Sequence, residues 1–336
     1  MYIESCHIDY LRLVIEVTDP EHQDEIKKAV DNTAIHLSRI YKVSKRHILQ
    51  AKNNYNQFIR LPLLSNFNYK ARNEETPHIV LQCAPIDETR YFIAIECKGH
   101  PYSREQFYSV RLWLEYIFSD QILNTYKDRI LLNRFDIALN TNLLLKNYLF
   151  DSKWSQKTAL YTSAEGNLET LYIQPKNEVL EICIYDRKSK VRNRNIKKNP
   201  TSTSRIEFRF GKNKIPLSNF SSAEQLVKRA LRRQKIYDLN TIREAEILNE
   251  DQLLALTSLG FVPYIQKQKK YKRLRLRKAI SAHLITAIET DLLPVHYNAA
   301  IRKLRYLLLY KSFKGSHEEK TINEFNLALQ AQQCKK

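Results

Sequence analysis

Glycine is scarce in this chain, with 5 among 336 residues, and there is 1 Met, 2 Trp and 10 Pro. No G-x-x-x-x-G-K-[ST] loop is present, which excludes the usual cradle for a nucleoside triphosphate. Any ATP-driven step must then come from a partner. The 5 cysteines, Cys6, Cys83, Cys97, Cys183 and Cys334, form no C-x-x-C or zinc-finger spacing, and four of them are read as reduced thiols in a cytosolic fold. The 9 histidines contain no H-x-H or H-E-x-x-H pair. No stretch holds the roughly 18 uninterrupted apolar residues of a bilayer span, and Glu4, Asp9 and Arg12 interrupt the first turns of any leader. Membrane insertion and secretion are not expected, and the cytoplasm of a bacterial cell is the expected compartment.

What is present is a folding composition with a lopsided charge. Hydrophobic residues make up 43% and aromatics 10%, which excludes a disordered or fibrous chain. Lys and Arg number 55 against 36 Asp and Glu, a net charge of +19. The excess is local. Residues 186–235 carry +13, and 264–278, YIQKQKKYKRLRLRK, add 8 cations and no acid, leaving the rest of the chain close to neutral. One-sign blocks beside a folded core read as a footprint for a polyanion, and nucleic acid fits better than an anionic membrane because no apolar anchoring face accompanies the charge. Lys269, Lys270, Lys272 and Arg273 are the candidate DNA contacts in the second block, with Tyr264 and Tyr271 as residues that either stack on bases or pack.

Hydrophobic periodicity predicts α+β architecture with a mostly antiparallel central sheet and flanking helices. Strands are expected at 8–17, 78–83, 91–97, 133–139, 170–174, 178–185 and 205–210, and helices at 21–41 and 103–125. Past Pro216 the pattern turns helical. Ser221 and Glu224 have capping-box spacing, and 240–259, 276–292, 296–313 and 318–333 follow as helices. This divides the chain into 1–216 and an all-helical basic module at 217–336.

Three of the strands alternate sharply, so their side chains sort onto two faces. Arg134, Asp136 and Ala138 share one face of 133–139; Arg205, Glu207 and Arg209 share one face of 205–210; Glu181, Cys183 and Tyr185 share one face of 178–185. If the apolar sides face helices, the opposite face collects carboxylates, arginines and a tyrosine. An ordinary solvent-facing sheet side with cross-strand ion pairs has the same composition. As chemistry, two carboxylates, Asp136 and Glu207, suit a hard divalent ion such as Mg²⁺ or Mn²⁺. A tyrosine hydroxyl attacks a phosphodiester only when a cation or base stabilises the phenolate, a role open to Arg187 and Lys188 beside Tyr185. Weaker candidates are Glu96, Glu181 and His100, with Tyr161 and Tyr172 read as packing residues and Tyr172 as the reserve nucleophile.

In chain order the segments IDYL (8–11), AIECKGHP (94–101), NRFDIALN (133–140), TLYIQ and ICIYDRKSK (170–190), and SRIEFRF (204–210) resemble the replication initiation factor family of rolling-circle Rep proteins from small plasmids and filamentous phages. The resemblance implies an HUH-related nicking domain without the histidine pair. It implies a tyrosine nucleophile at Tyr185, metal-binding acids at Asp136 and Glu207, and phosphate contacts at Lys188 and Arg205. Asn140 stands where the family has a second acid, Gln174 where it has glycine, Arg187 where it has lysine, and Lys190 where it often has an acid. The implied function is initiation of DNA replication by nicking and rejoining one strand at an origin hairpin or single strand through a covalent 5′-phosphotyrosine. Arg134, Arg187, Lys190, Arg192, Arg205 and Arg209 are the expected DNA-facing cations beside the site, a host helicase is the expected partner, and a homodimer is allowed. The alternatives are a non-catalytic origin or promoter binder on the same scaffold, and a metal nuclease that uses water.

Overall fold

The computed structural model describes residues 3–61, 78–98, 104–152, 155–164, 168–175, 180–189, 203–216, 225–230 and 234–284. The architecture is α+β, with a large, mostly antiparallel sheet, and helices that continue toward the C-terminal end of the described chain. Within these residues the chain forms two compact units, one made of 8–134 and 214–216, the other of 3–7, 135–213, 225–230 and 234–284.

The first unit is built on strands β1 (Ile3–Ile15, from Ile8 on), β2 (Leu49–Lys52), β3 (Tyr55–Leu61), β4 (His78–Pro85) and β5 (Ile93–Lys98), in the order β2-β3-β4-β5-β1. Helix α1 (Pro20–Tyr41) packs against β3 and β4. Its buried Ile26, Val30, Ala34 and Leu37 recur at four and three residues, the stripe that a helix on a sheet requires. Asp19 caps its start by accepting from the Glu21 N–H at 2.9 Å, ahead of Pro20. A short helix α2 (Lys45–Ile48) follows. The single helix expected at 103–125 is two, α3 (Arg104–Ile117) and α4 (Asp120–Tyr126), because the Ser119 hydroxyl accepts from the Ile122 N–H and restarts the helix. The β2–β3 hairpin is not among the expected elements; the burial pattern of Tyr55–Leu61 does not follow a clean period of two.

The second unit takes β6 (Ile130–Thr141) from Phe135 on, together with β7 (Tyr148–Ser152), β8 (Ser155–Thr162), β9 (Leu168–Pro175), β10 (Leu180–Asp186) and β11 (Ser204–Phe210). The strand order is β6-β11-β10-β9-β8. β12 (Ile215–Pro216) pairs with the first residues of β6. One face of the three central strands is apolar, with Phe135, Ile137, Leu139, Leu180, Ile182, Ile184, Ile206, Phe208 and Phe210 all buried, and Phe135 stacks on Phe210 at 4.6 Å.

The stretch past Pro216 is not all helical. β13 (Gln234–Asp238) pairs antiparallel with β7. Helices α5 (Leu239–Glu244), α6 (Glu250–Leu259), α7 (Phe261–Lys267) and α8 (Lys270–Ser281) follow. Leu149 of β7 shares one core with Tyr237, Ile242, Leu256, Phe261, Ile265 and Ile280, so these helices bury their apolar sides with a strand pair. The expected helix 240–259 is split because Asn249 and Gln252 form a reciprocal capping box that starts α6 afresh. Ser221, Glu224 and the helices expected at 296–313 and 318–333 lie outside the described residues. Among the described residues no helix is long and apolar enough to cross a membrane.

Candidate active site

Register brings the expected polar residues together. On β10, β11 and β6, Tyr185 lies beside Arg205 and Arg205 beside Asn140; Cys183 beside Glu207 and Glu207 beside Ala138; Glu181 beside Arg209 and Arg209 beside Asp136. Because alternate residues share a face, these nine positions form one patch of three rows. The patch is not the open, solvent-facing side of a sheet. Asp136, Asn140, Arg205, Glu207, Cys183 and Tyr185 are all buried, Tyr185 to 4% exposure and Glu207 to 3%.

Glu207 is the centre of the network. Its Oε1 accepts the Tyr185 hydroxyl at 2.5 Å and faces Arg205 Nη1 at 3.8 Å. Its Oε2 accepts from Arg209 Nη2 at 2.8 Å and from Arg209 Nε at 3.2 Å. Arg209 Nη1 also donates to Glu181 Oε1 at 2.6 Å, so one guanidinium bridges the carboxylates of two neighbouring strands. Burial opposes the charge on Arg209, but the field of Glu207 with Cys183 and Glu181 overrides it and raises its pKa. Arg205 donates from Nε to Asn140 Oδ1 at 2.8 Å. Asn140 therefore anchors an arginine at the position where the resemblance implies an acid. Its part is visible in the sequence only by carrying the alternation of β6 two residues past Ala138.

Tyr172 on β9 lies beside Cys183 in register, with the Arg209 guanidinium 5.8 Å above its ring and Tyr161 edge-on at 5.8 Å. Burial, with Cys183 next to it, raises the Tyr172 pKa and keeps the phenol protonated. Glu181 is an ion-pair partner, as its strand position suggests. Arg187 and Lys188 lie on the helical turn that follows β10, with Lys188 exposed. The Arg187 N–H extends the β10–β11 ladder to the Thr203 carbonyl at 3.0 Å. Lys190 and Arg192, like His100, lie outside the described residues.

Arg134 shares the face of β6 with Asp136, one step outside these three rows. In the first unit its guanidinium lies 4.7 Å over the ring of Tyr10, and Glu96 lies 3.8 Å from Arg12. Burial and then Glu96 raise the Tyr10 pKa. At the start of α8, Lys269, Lys270, Lys272 and Arg273 are exposed, but Arg273 is tied down: its Nε and Nη2 donate to the carbonyls of Gln268 at 2.7 Å and Gln266 at 2.6 Å, closing the C-terminal end of α7. Tyr264 is buried in the core, whereas Tyr271 is 70% exposed, so packing does not account for Tyr271.

From sequence, the pair Asp136 and Glu207 is expected to hold Mg²⁺ or Mn²⁺. The two stand on neighbouring strands, diagonal to each other in register. Both oxygens of Glu207 already face donors, three of them guanidinium nitrogens, and among the described residues no group of three or more His, Cys, Asp or Glu side chains converges as a metal cluster. As arranged, these residues do not fit a divalent ion, because two fixed positive side chains flank the carboxylate that would bind it. What the arrangement offers is a phenol hydrogen-bonded to a carboxylate, with two guanidinium groups alongside. No family model matches the chain, and no curated protein matches it.

Proposed function

We propose that the chain nicks and rejoins one strand of DNA through Tyr185, in the manner of a rolling-circle replication initiator. The observation that carries this reading is the hydrogen bond from the Tyr185 hydroxyl to Glu207 Oε1 at 2.5 Å, on a face that also holds Arg205 and Arg209. A phenol of ordinary pKa near 10 is ionised in only about one molecule in a thousand at neutral pH, so a base in contact with it matters. In the proposed step Glu207 Oε1 takes the phenol proton as the Tyr185 oxygen attacks phosphorus in line. The bond from phosphorus to the 3′ oxygen breaks and that oxygen takes up a proton from solvent, to which Glu207 releases the one it took. The products are a 5′-phosphotyrosyl link and a free 3′-hydroxyl. Attack of the hydroxyl on the link reverses the step without ATP, because the ester keeps the bond energy. Arg205 and the cations that follow Tyr185, Arg187 and Lys188, are the proposed phosphate contacts. Extension from the 3′-hydroxyl calls for strand separation, which a chain without a nucleotide loop takes from a helicase partner.

The test does not depend on a defined origin sequence. The full chain is incubated with a randomised single-stranded oligonucleotide pool, and protein carrying nucleotide after SDS is digested for mass spectrometry. The peptide containing Tyr185 should carry the nucleotide, and Tyr185→Phe should abolish the adduct while retaining DNA binding. An undiminished adduct in that variant refutes the assignment.

A second reading, a binder of origin or promoter DNA that performs no chemistry, is favoured by the burial of Tyr185 and Glu207. It predicts DNA that is held on the protein and stays intact in the same assay.

A further inference from the structure

We infer that Arg209 holds the place of a divalent cation on this face, so that the face excludes metal ions and works without one. For its consequence in catalysis this rests on the nicking reading; the exclusion itself rests on side-chain geometry. A hard ion at this spot would bridge carboxylates from neighbouring strands. Arg209 does that already, with Nη1 on Glu181 at 2.6 Å and Nη2 and Nε on Glu207 at 2.8 Å and 3.2 Å. Asp136 lies opposite it in register on the other flanking strand. The remaining oxygen of Glu207 is taken by the Tyr185 hydroxyl, with Arg205 behind it. An entering ion must therefore displace Arg209 or Tyr185, and it meets the positive charge of Arg205 when it does.

The substitution also supplies chemistry. A guanidinium has five N–H donors, and three of those on Arg209 serve Glu181 and Glu207. The other two can receive phosphate oxygens next to the attacking phenol, which is the charge stabilisation a metal ion gives in other phosphoryl-transfer sites. The planar group is held by carboxylates of its own and of one neighbouring strand, so its charge is in position before DNA arrives.

The experiment is a titration of the full chain with Mn²⁺, followed by the loss of the free-ion paramagnetic resonance signal. The wild-type chain should show no saturable site up to millimolar Mn²⁺. Arg209→Met should gain one, Arg209→Lys should not, and the gained site should vanish in Arg209→Met combined with Glu207→Gln. A purely structural arginine would not change metal uptake in this pattern. Wild-type uptake that disappears in Glu207→Gln or Asp136→Asn overturns the inference, and that comparison holds even if Arg209→Met fails to fold. A folded Arg209→Met chain that takes up no Mn²⁺ overturns it as well, since something other than the guanidinium then excludes the ion. In the adduct assay, equal rates in EDTA and in Mg²⁺ support the inference. An adduct that requires Mg²⁺ overturns it and leaves the nicking reading standing. Absence of adduct under both conditions refutes the nicking reading, and the Mn²⁺ titration then decides the inference alone.

Discussion

Tyr185 and Glu207 should be energetically coupled, and the size of the coupling follows from the contacts. The hydroxyl–carboxylate bond is 2.5 Å long between two buried groups, which places it with charge-assisted hydrogen bonds of about 1.5–3 kcal/mol. Tyr185→Phe leaves Glu207 with its guanidinium donors, so the loss belongs at the low end, about 1.5 kcal/mol. Glu207→Gln removes the counter-charge between two arginines, leaving Arg209 with Glu181 and Arg205 with Asn140, and should cost about 3 kcal/mol. The double variant should cost about 3 kcal/mol, because the tyrosine has little left to lose, giving a coupling of about 1.5 kcal/mol. Native-state hydrogen exchange on peptides from 180–186 and 204–210 reads these as local opening free energies, so it does not require the two units to unfold together. A coupling of that size is roughly a tenfold departure from additivity in exchange rate. Additive losses would refute the contact.

Three further outcomes follow from other parts of the chain. Replacing Lys269, Lys270 and Lys272 by Ala should lower the slope of log affinity for duplex DNA against log salt by about 2 to 3, from roughly 0.9 per lost phosphate contact. Arg273→Ala should instead speed exchange at the end of α7, where its guanidinium closes two carbonyls, and an unchanged slope in the triple variant would remove α8 from the DNA. Gly260 joins α6 to α7 at φ 80° and ψ 162°, a region nearly closed to other residues, and an added Cβ meets only ordinary contacts at 3.6 Å; Gly260→Ala should therefore destabilise by about 1–3 kcal/mol through backbone conformation alone, seen as faster exchange in both helices. Burial, and secondarily Arg39, lowers the pKa of His36. Below pH 6.5 the unfolded chain binds a proton there that the folded chain does not, so stability should fall as pH drops through that value; His36→Gln should flatten this part of a pH–stability curve, and an unchanged curve would refute it.

Alternation makes the site face legible. In β6, β10 and β11 every second residue is apolar, so Asp136, Glu207, Arg209, Glu181 and Tyr185 sort to one side on the strength of spacing alone, and the register agrees. What periodicity does not carry is which partner each charge selects. Arg209 chooses Glu181 across strands and Glu207 on its own strand, and Arg205 chooses Asn140 across strands. Helix ends depart from expectation wherever a local cap outweighs periodicity, at Ser119 and at Asn249 with Gln252. β13 escapes because QKIYD sits next to a run of cations and carries only two buried apolar residues, Ile236 and Tyr237. Its strand identity comes from pairing with β7, a contact between distant parts of the sequence.

The energetic cost of this face bears on which reading it supports. Buried ion pairs are poor stabilisers: replacing them with apolar residues of similar volume is often neutral or favourable by about 1–4 kcal/mol. The opposite side of the same three strands is filled by Leu, Ile and Phe, so the chain has the means to build an apolar layer here. A fold selected for stability alone has no use for Glu207 clamped between two arginines and a phenol. Exposed cations such as those of α8 are the most direct phosphate contacts for binding, whereas the arginines of this face are already held by acids. On the proposed nicking reading, a base in contact with the nucleophile and the fixed positive charge around it stand where water is excluded, which is where such charges act most strongly. The coupling of Tyr185 to Glu207 and the Mn²⁺ titration of Arg209 test the two halves of that account separately: the first asks whether the base holds the phenol, the second whether the surrounding charge is built into the protein.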